Sequence, residues 1–201
     1  MMISLEKTCY SAIFRLAAIA VGLGISIAVA TAKTTKDAQE FAPPISVKNS
    51  IANAKLAGNG EYRWFGLKIY DASLWTGNEG YSTAFPRAAP FALELRYARA
   101  LEGTRIAEVS IDQIEKLGFG DQAKHKVWRQ LLEEVIKDVS IGDRLAAIYH
   151  PVSGTSFYRN DKWIGDISDE EFSTSFFAIW LDSRSSASEL REALLRKATP
   201  N

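Results

Sequence analysis

Cysteine is the scarcest reactive residue in this chain of 201: Cys9 is the single one. It lies ahead of an uncharged apolar run from Leu16 to Ala30, so the body of the chain carries no thiol. That excludes disulfides, a thiol nucleophile and a cysteine-held metal there. Histidine is almost as rare, with only His125 and His150, too few for a histidine-rich metal site. No G-x-S-x-G elbow, phosphate loop or H-E-x-x-H motif occurs, and Gly58-Asn59-Gly60 lacks the third glycine of a dinucleotide loop. No cofactor and no metal is expected. A surplus of one charge is missing too, with 24 basic and 24 acidic residues. Nucleic-acid binding needs a basic surplus to neutralise phosphates, so no nucleic-acid partner is expected.

The first 32 residues read as an export signal. Lys7 and Arg15 give a positive start, the apolar run follows, and Ala30-Thr31-Ala32 supplies an A-x-A cut after Ala32. The run is short and broken by glycine for a membrane span. A retained anchor is the alternative reading; otherwise the chain meets the membrane only in transit and ends up periplasmic or secreted. Cys9 precedes the apolar run, which places it badly for lipid attachment. Without Glu6, Lys7 and Arg15 the chain keeps 22 basic and 23 acidic residues. About 169 residues then suit one domain with one substantial core. Residues 33–44 are polar, end in Pro43-Pro44 and read as a flexible leader to a domain over 45–198.

Patterning along that domain predicts alternating sheet and helix. Glu61 to Trp75 reads as one strand, with Phe65, Leu67 and Ile69 on one face and Trp64, Lys68 and Tyr70 on the other. Gly77 to Pro90 is loop. Phe91 to Arg99 alternates, which places Phe91, Leu93, Leu95, Tyr97 and Arg99 in one row. Helices are expected over Thr104–Leu117 and after a cap at Asp121. A hairpin pairs Arg144–His150 with Thr155–Asn160, and a short strand follows at Lys162–Ile164. Ser168 and Glu171 form a capping box for a helix with Phe172, Phe176, Ile179 and Trp180 inward, and a last helix runs over Ser188–Lys197. Trp128, Trp163, Trp180 and Phe176-Phe177 read as core. Strands, two helices, strands and two helices make an α+β fold, with helices packed on an antiparallel sheet.

Two stretches carry a resemblance. Gly58-Asn59-Gly60-Glu61-Tyr62-Arg63-Trp64 opens an aromatic-rich segment running to Trp75. Far downstream come Gly165-Asp166-Ile167-Ser168-Asp169-Glu170-Glu171-Phe172, Phe176-Phe177-Ala178-Ile179-Trp180-Leu181 and Glu189 to Leu195. Together these resemble the bacterial branch of the chalcone isomerase-like family, over roughly Ile45 to Lys197. The resemblance implies a large mainly antiparallel sheet backed by a layer of helices, and a cleft for a small ligand.

It also implies roles for particular residues. Arg63, just after the glycines, matches an arginine that anchors an anionic ligand group through guanidinium hydrogen bonds. Tyr62 makes the glycine-to-arginine spacing one longer than in the plant enzymes. Tyr70 falls near the position from which those enzymes steer a water onto the substrate carbonyl, and Lys68 would assist it electrostatically. Tyr97 and Arg99 match, in kind, the tyrosine and arginine that hold a carboxylate in fatty-acid-binding members; an ion pair of Arg99 with Glu94 or Glu102 is the competing reading. Leu117-Gly118-Phe119-Gly120-Asp121 resembles the Tyr-Gly-Asp turn of the plant enzymes, whose tyrosine contributes to catalysis; Phe119 takes that position and is expected among the ligand-binding residues. Phenylalanine donates no hydrogen bond, and His125 and Lys126 stand where an asparagine is expected. Each missing donor costs a few kcal/mol of transition-state stabilisation, which argues against chalcone cyclisation.

Three functions follow as expectations. The first is a non-catalytic binder of a small amphipathic anion, a fatty acid or aromatic acid, in an apolar cleft. The second is an intramolecular lyase on a chalcone-like enone, with Tyr70 and Lys68 polarising the carbonyl and Arg63 anchoring. The third is an envelope interaction protein whose cleft is vestigial.

Overall fold

The computed structural model describes residues 42–82 and 89–198; the expected export signal and most of the leader lie outside the described residues. Helix α1 spans Ile45–Ser50, followed by strands β1 (Lys55–Trp64), β2 (Leu67–Thr76) and β3 (Phe91–Tyr97). Helices α2 (Gly103–Lys116) and α3 (Gln122–Val135) come next. Strands β4 (Arg144–His150), β5 (Gly154–Arg159) and β6 (Lys162–Ile167) return to the sheet, and α4 (Glu170–Leu181) and α5 (Ser188–Leu194) close the fold. All six strands pair antiparallel, in chain order from β1 to β6.

Period-two patterning sorts the strands between two unequal cores. On one face Leu74, Leu93, Leu95 and Phe157 pack against Ile111 and Ile114 of α2, Trp128 and Leu132 of α3, and Phe172, Phe176 and Phe177 of α4. Each such side chain contributes about 1.5–3 kcal/mol when fully buried. On the other face a small cluster of Trp75, Ala92 and Ile148 is covered by Val47 and Ile51 of α1. The same face holds ions. Glu94, 9% exposed, accepts from Trp75 Nε1 at 3.1 Å and lies 3.9 Å from Arg144 Nη1. Arg144 Nη2 reaches Asp161 at 2.8 Å, and Asp161 Oδ1 accepts from both N and Oγ of Ser46, which pins α1 to the sheet.

The segment expected as one strand is a hairpin. Phe65 and Gly66, with φ of 46° and 78°, form the turn between β1 and β2. Phenylalanine is not a turn-forming residue, so the pattern concealed the reversal. The glycine pair lies within β1 and serves close packing. A side chain at Gly58 would put Cβ 2.1 Å from Ala193 O, and one at Gly60 would meet Leu190 Cδ1 at 2.9 Å. These glycines let α5 lie directly on β1.

Side-chain acceptors set the starts of α3 and α4. Asp121 Oδ1 accepts from Lys124 N at 2.9 Å, the cap expected for α3. For α4 the cap is Asp169, which accepts from Phe172 N at 2.9 Å, one residue beyond the expected Ser168 box; Glu171 pairs with Lys124 instead. Trp128, Trp180, Phe176 and Phe177 are buried as expected. Trp163 is not: it is 60% exposed on the edge strand β6, its indole donating to Asp166.

Candidate functional site

A cleft of about 390 Å³ opens between the β1–β3 end of the sheet and α2, with α4 and the start of α5 behind it. Its floor is Leu95, Tyr97 and Leu145, its walls are Tyr62, Ile69 and Tyr70 on one side and Ile106 and Val109 on the other, and Phe176, Ile179 and Trp180 close the back. At its rim stand Arg105, Asp112, Gln113 and Lys116 of α2, with Ser186. Ser186 Oγ donates to Gln113 Oε1 at 2.7 Å and ties the α4–α5 link to α2.

The shape of β2 decides which groups enter. Tyr62 pairs with Tyr70 but Arg63 pairs with Lys68, so Ile69 is an extra residue, a β-bulge. The bulge puts Ile69 and Tyr70 together on the cleft wall and turns Lys68 away from Tyr70. Lys68 Nζ instead meets Asp71 Oδ1 at 2.6 Å and Glu61 Oε2 at 3.6 Å. Arg63 Nε donates to Glu61 Oε1 at 2.6 Å and Arg63 Nη1 to Gly66 O at 3.0 Å. The four charges form one exposed chain on the sheet's far side.

Of the residues singled out from the sequence, Tyr70 and Tyr97 line the cleft, and Arg63, Lys68, Arg99 and Phe119 do not. Strand β3 ends at Tyr97, so Arg99 leaves the expected row and is exposed; Glu94 pairs with Arg144 rather than Arg99. Phe119 packs at the α2–α3 turn, where the Arg184 guanidinium lies 5.3 Å from its ring centroid. Sequence reasoning missed Arg105, Ile106 and Val109. Their helical spacing marked α2 as amphipathic, but nothing in it showed that part of the apolar stripe faces a cleft.

The polar groups inside are the phenols and Ser110, whose Oγ donates to Ile106 O at 2.8 Å. Tyr62 and Tyr70 stack with ring centroids 5.1 Å apart, and Tyr70 meets Tyr97 edge-on at 6.0 Å. Trp180 Nε1 donates to Tyr70 Oη at 3.0 Å. An indole can only donate, so the Tyr70 O–H is left to donate into the cleft. Burial raises the Tyr70 pKa far above the ordinary phenol value, against the opposing effect of the Trp180 hydrogen bond. Tyr97, 3% exposed, is raised by burial alone. Both stay neutral donors across the physiological range. They can hold a carbonyl, ether or hydroxyl oxygen, and neither is a base.

The family model for chalcone isomerase-like proteins matches residues 33–196. The chain belongs to the chalcone isomerase-like family. A fatty-acid binding protein of Arabidopsis thaliana, known from its crystal structure, superposes with a TM-score of 0.56 at 12% identity, over 73% of this chain and 89% of that one. At that identity the likeness is one of fold: the α+β sheet and helical layer expected from the sequence. An uncharacterized protein of Haemophilus influenzae is 29% identical over 144 residues, 72% of this chain and 69% of that one. A stretch of 125 residues is 30% identical to an arginine–tRNA ligase of Leuconostoc mesenteroides, over 59% of this chain but only 21% of the ligase. Among the described residues of this chalcone isomerase-like protein, no cluster of three His, Cys, Asp or Glu side chains is placed to hold a metal ion. No helix among them is long and apolar enough to cross a membrane.

Proposed function

We propose that this protein is an exported, non-catalytic carrier of a small amphipathic anion, a fatty acid or an aromatic acid. The observation that carries the reading is the apolar cleft of about 390 Å³ under α2, a size within the range of ligand pockets. Its chemistry sets the orientation of the ligand. A carboxylate buried without a cation costs several kcal/mol, and the cations on the cleft, Arg105 and Lys116, stand at its rim. The carboxylate therefore rests at the rim and the apolar body lies inward, against Leu95, Ile136 and Phe176. A second oxygen on the ligand has the Tyr70 and Tyr97 hydroxyls to meet. The fold neighbour that binds fatty acids supports this class of ligand. The A-x-A sequence ending at Ala32, with the family match starting at residue 33, supports export.

Titration with a fluorescent fatty acid, then displacement by unlabelled fatty and aromatic acids, tests the reading. Saturable one-to-one binding is expected, and no displacement at millimolar acid rejects it. Mass measurement of the chain recovered from its own cells is expected to show a start at Lys33; an intact N-terminus points to the retained anchor.

One observation favours a second reading, an intramolecular lyase: Tyr70 is held by Trp180 so that its O–H donates inward, as polarising an enone carbonyl requires. Conversion of hydroxylated chalcones no faster than in buffer eliminates it.

A further inference from the structure

The β1–β2 hairpin carries large apolar groups at its tip, where most turns are polar. Trp64, Phe65 and Leu67 are 58%, 88% and 51% exposed, and the Trp64 and Phe65 rings pack edge-on at 4.8 Å. Phe65 holds its φ of 46° where a glycine or asparagine is favoured. The tip is continuous with the cleft. Trp64 lines it from one side, and Val109 of α2, 41% exposed, forms the other lip. The same end of the sheet carries Ile141, 75% exposed, in the turn where Gly142 N donates to Tyr97 O. The charges beside the tip cancel among themselves, Arg63 with Glu61 and Lys68 with Asp71.

We propose that this tip docks on a lipid bilayer, so that the cleft opens at the membrane surface and takes its ligand from there. The inference rests on the apolar-ligand reading above. Size argues for a bilayer over a protein partner. A stable protein interface needs about 800 Å² from each side, whereas two partly exposed aromatics and a leucine on a narrow turn offer about 400 Å². Tryptophan beside phenylalanine suits the headgroup boundary, where the ring is sheltered and the indole N–H stays wet. With no net charge at the tip, docking needs no anionic lipid.

The test uses the full chain with Cys9→Ser and a single added cysteine, Phe65→Cys or Val152→Cys, carrying an environment-sensitive fluorophore. Val152 is a matched control: fully exposed, with φ of 75°, but at the opposite end of the sheet. Because both proteins share residues 1–32, any binding by that segment is common to them. With phosphatidylcholine vesicles the label at 65 is expected to shift to the blue and be quenched by brominated acyl chains, and the label at 152 to stay unchanged. Equal responses at the two positions, or none at 65, overturn the proposal. A label at 65 shielded before vesicles are added, with sedimentation mass rising with concentration, names a second copy as the occupant and overturns it too. Phe65→Ser is expected to slow transfer of a fluorescent fatty acid from vesicles more than fivefold, with affinity in lipid-free buffer kept within twofold. An unchanged transfer rate overturns the proposal. Insertion at 65 without any probe binding upholds docking and removes the ligand reading, so the two failures are distinguishable.

Discussion

On the helix-backed face of the sheet, the polar groups left over after packing are phenol hydroxyls; on the α1 face they are ions that pair with one another. Tyr70 and Tyr97 are kept neutral by burial and have donors to spare. Glu94, Arg144 and Asp161 satisfy each other and hold α1 through Ser46. One face is left open to a guest, and the other is closed by its own side chains. Alternation along β1 puts Arg63 on the side opposite Tyr62, and the Ile69 bulge puts Lys68 there with it, so both fall with the second group. The cations that the sequence placed at the ligand thus stabilise a hairpin, and α2 supplies the cations at the rim.

The sharpest way to break the comparison is Arg144→Ala. It strands Glu94 and Asp161 and is expected to cost about 2–3 kcal/mol of stability, less than a wholly buried pair because Arg144 is partly exposed. Ligand affinity should not change. Burial raises the Glu94 pKa, so the stability of its protonated form is full below 4.5 and is lost as pH rises through the folded-state value. Asp161 is lowered despite its burial, helped by Ser46 and Arg144, and its contribution is lost as pH falls. Both signs make the Arg144→Ala penalty larger at pH 7 than at pH 4, which urea denaturation at the two pH values will measure.

Next in size is Ile106→Trp, which fills the cleft between α2 and β2. Fatty-acid affinity should fall more than tenfold with the unfolding temperature held within a few degrees; retained affinity would locate the ligand elsewhere. Tyr97→Phe removes a deep hydroxyl that burial alone perturbs. A ligand with a second oxygen should lose about fivefold in affinity, roughly one neutral hydrogen bond, while calorimetry shows stability unchanged or raised. Arg63→Ala is expected to do least, with affinity within twofold. A tenfold loss would return Arg63 to the site and mean that the hairpin folds over the cleft when ligand is bound.

Most strands and most helices were legible because their signals are local. Alternation gave β3, the Arg144–Asn160 segment gave its hairpin, and Asp121 marked the start of α3. What could not be read depends on register. A one-residue bulge leaves no mark in composition yet moves Lys68 to the opposite side from Tyr70, and Phe65 at a turn looks like Phe65 in a strand. Tyr70, named through the resemblance, and Tyr97, named through alternation along β3, both line the cleft. Arg105, Ile106 and Val109 were missed because a stripe that faces a cavity and one that faces a core have the same period.

The neighbour-to-neighbour order of the strands also has a bearing on how the molecule assembles. β4, β5 and β6 pair across short turns, whereas β3 meets β4 only after the chain has left the sheet through α2 and α3. Closing that longest segment costs the most chain entropy before any contact compensates for it. We infer two blocks, one ending at β3 and one starting at β4, that form separately and join last. Pulse-labelled hydrogen exchange during refolding should then protect β5 amides before those of β3, and simultaneous protection would dismiss this order. The cleft draws its walls from both blocks and from α2 between them, so a chain still being made has no complete cleft until the seam has closed.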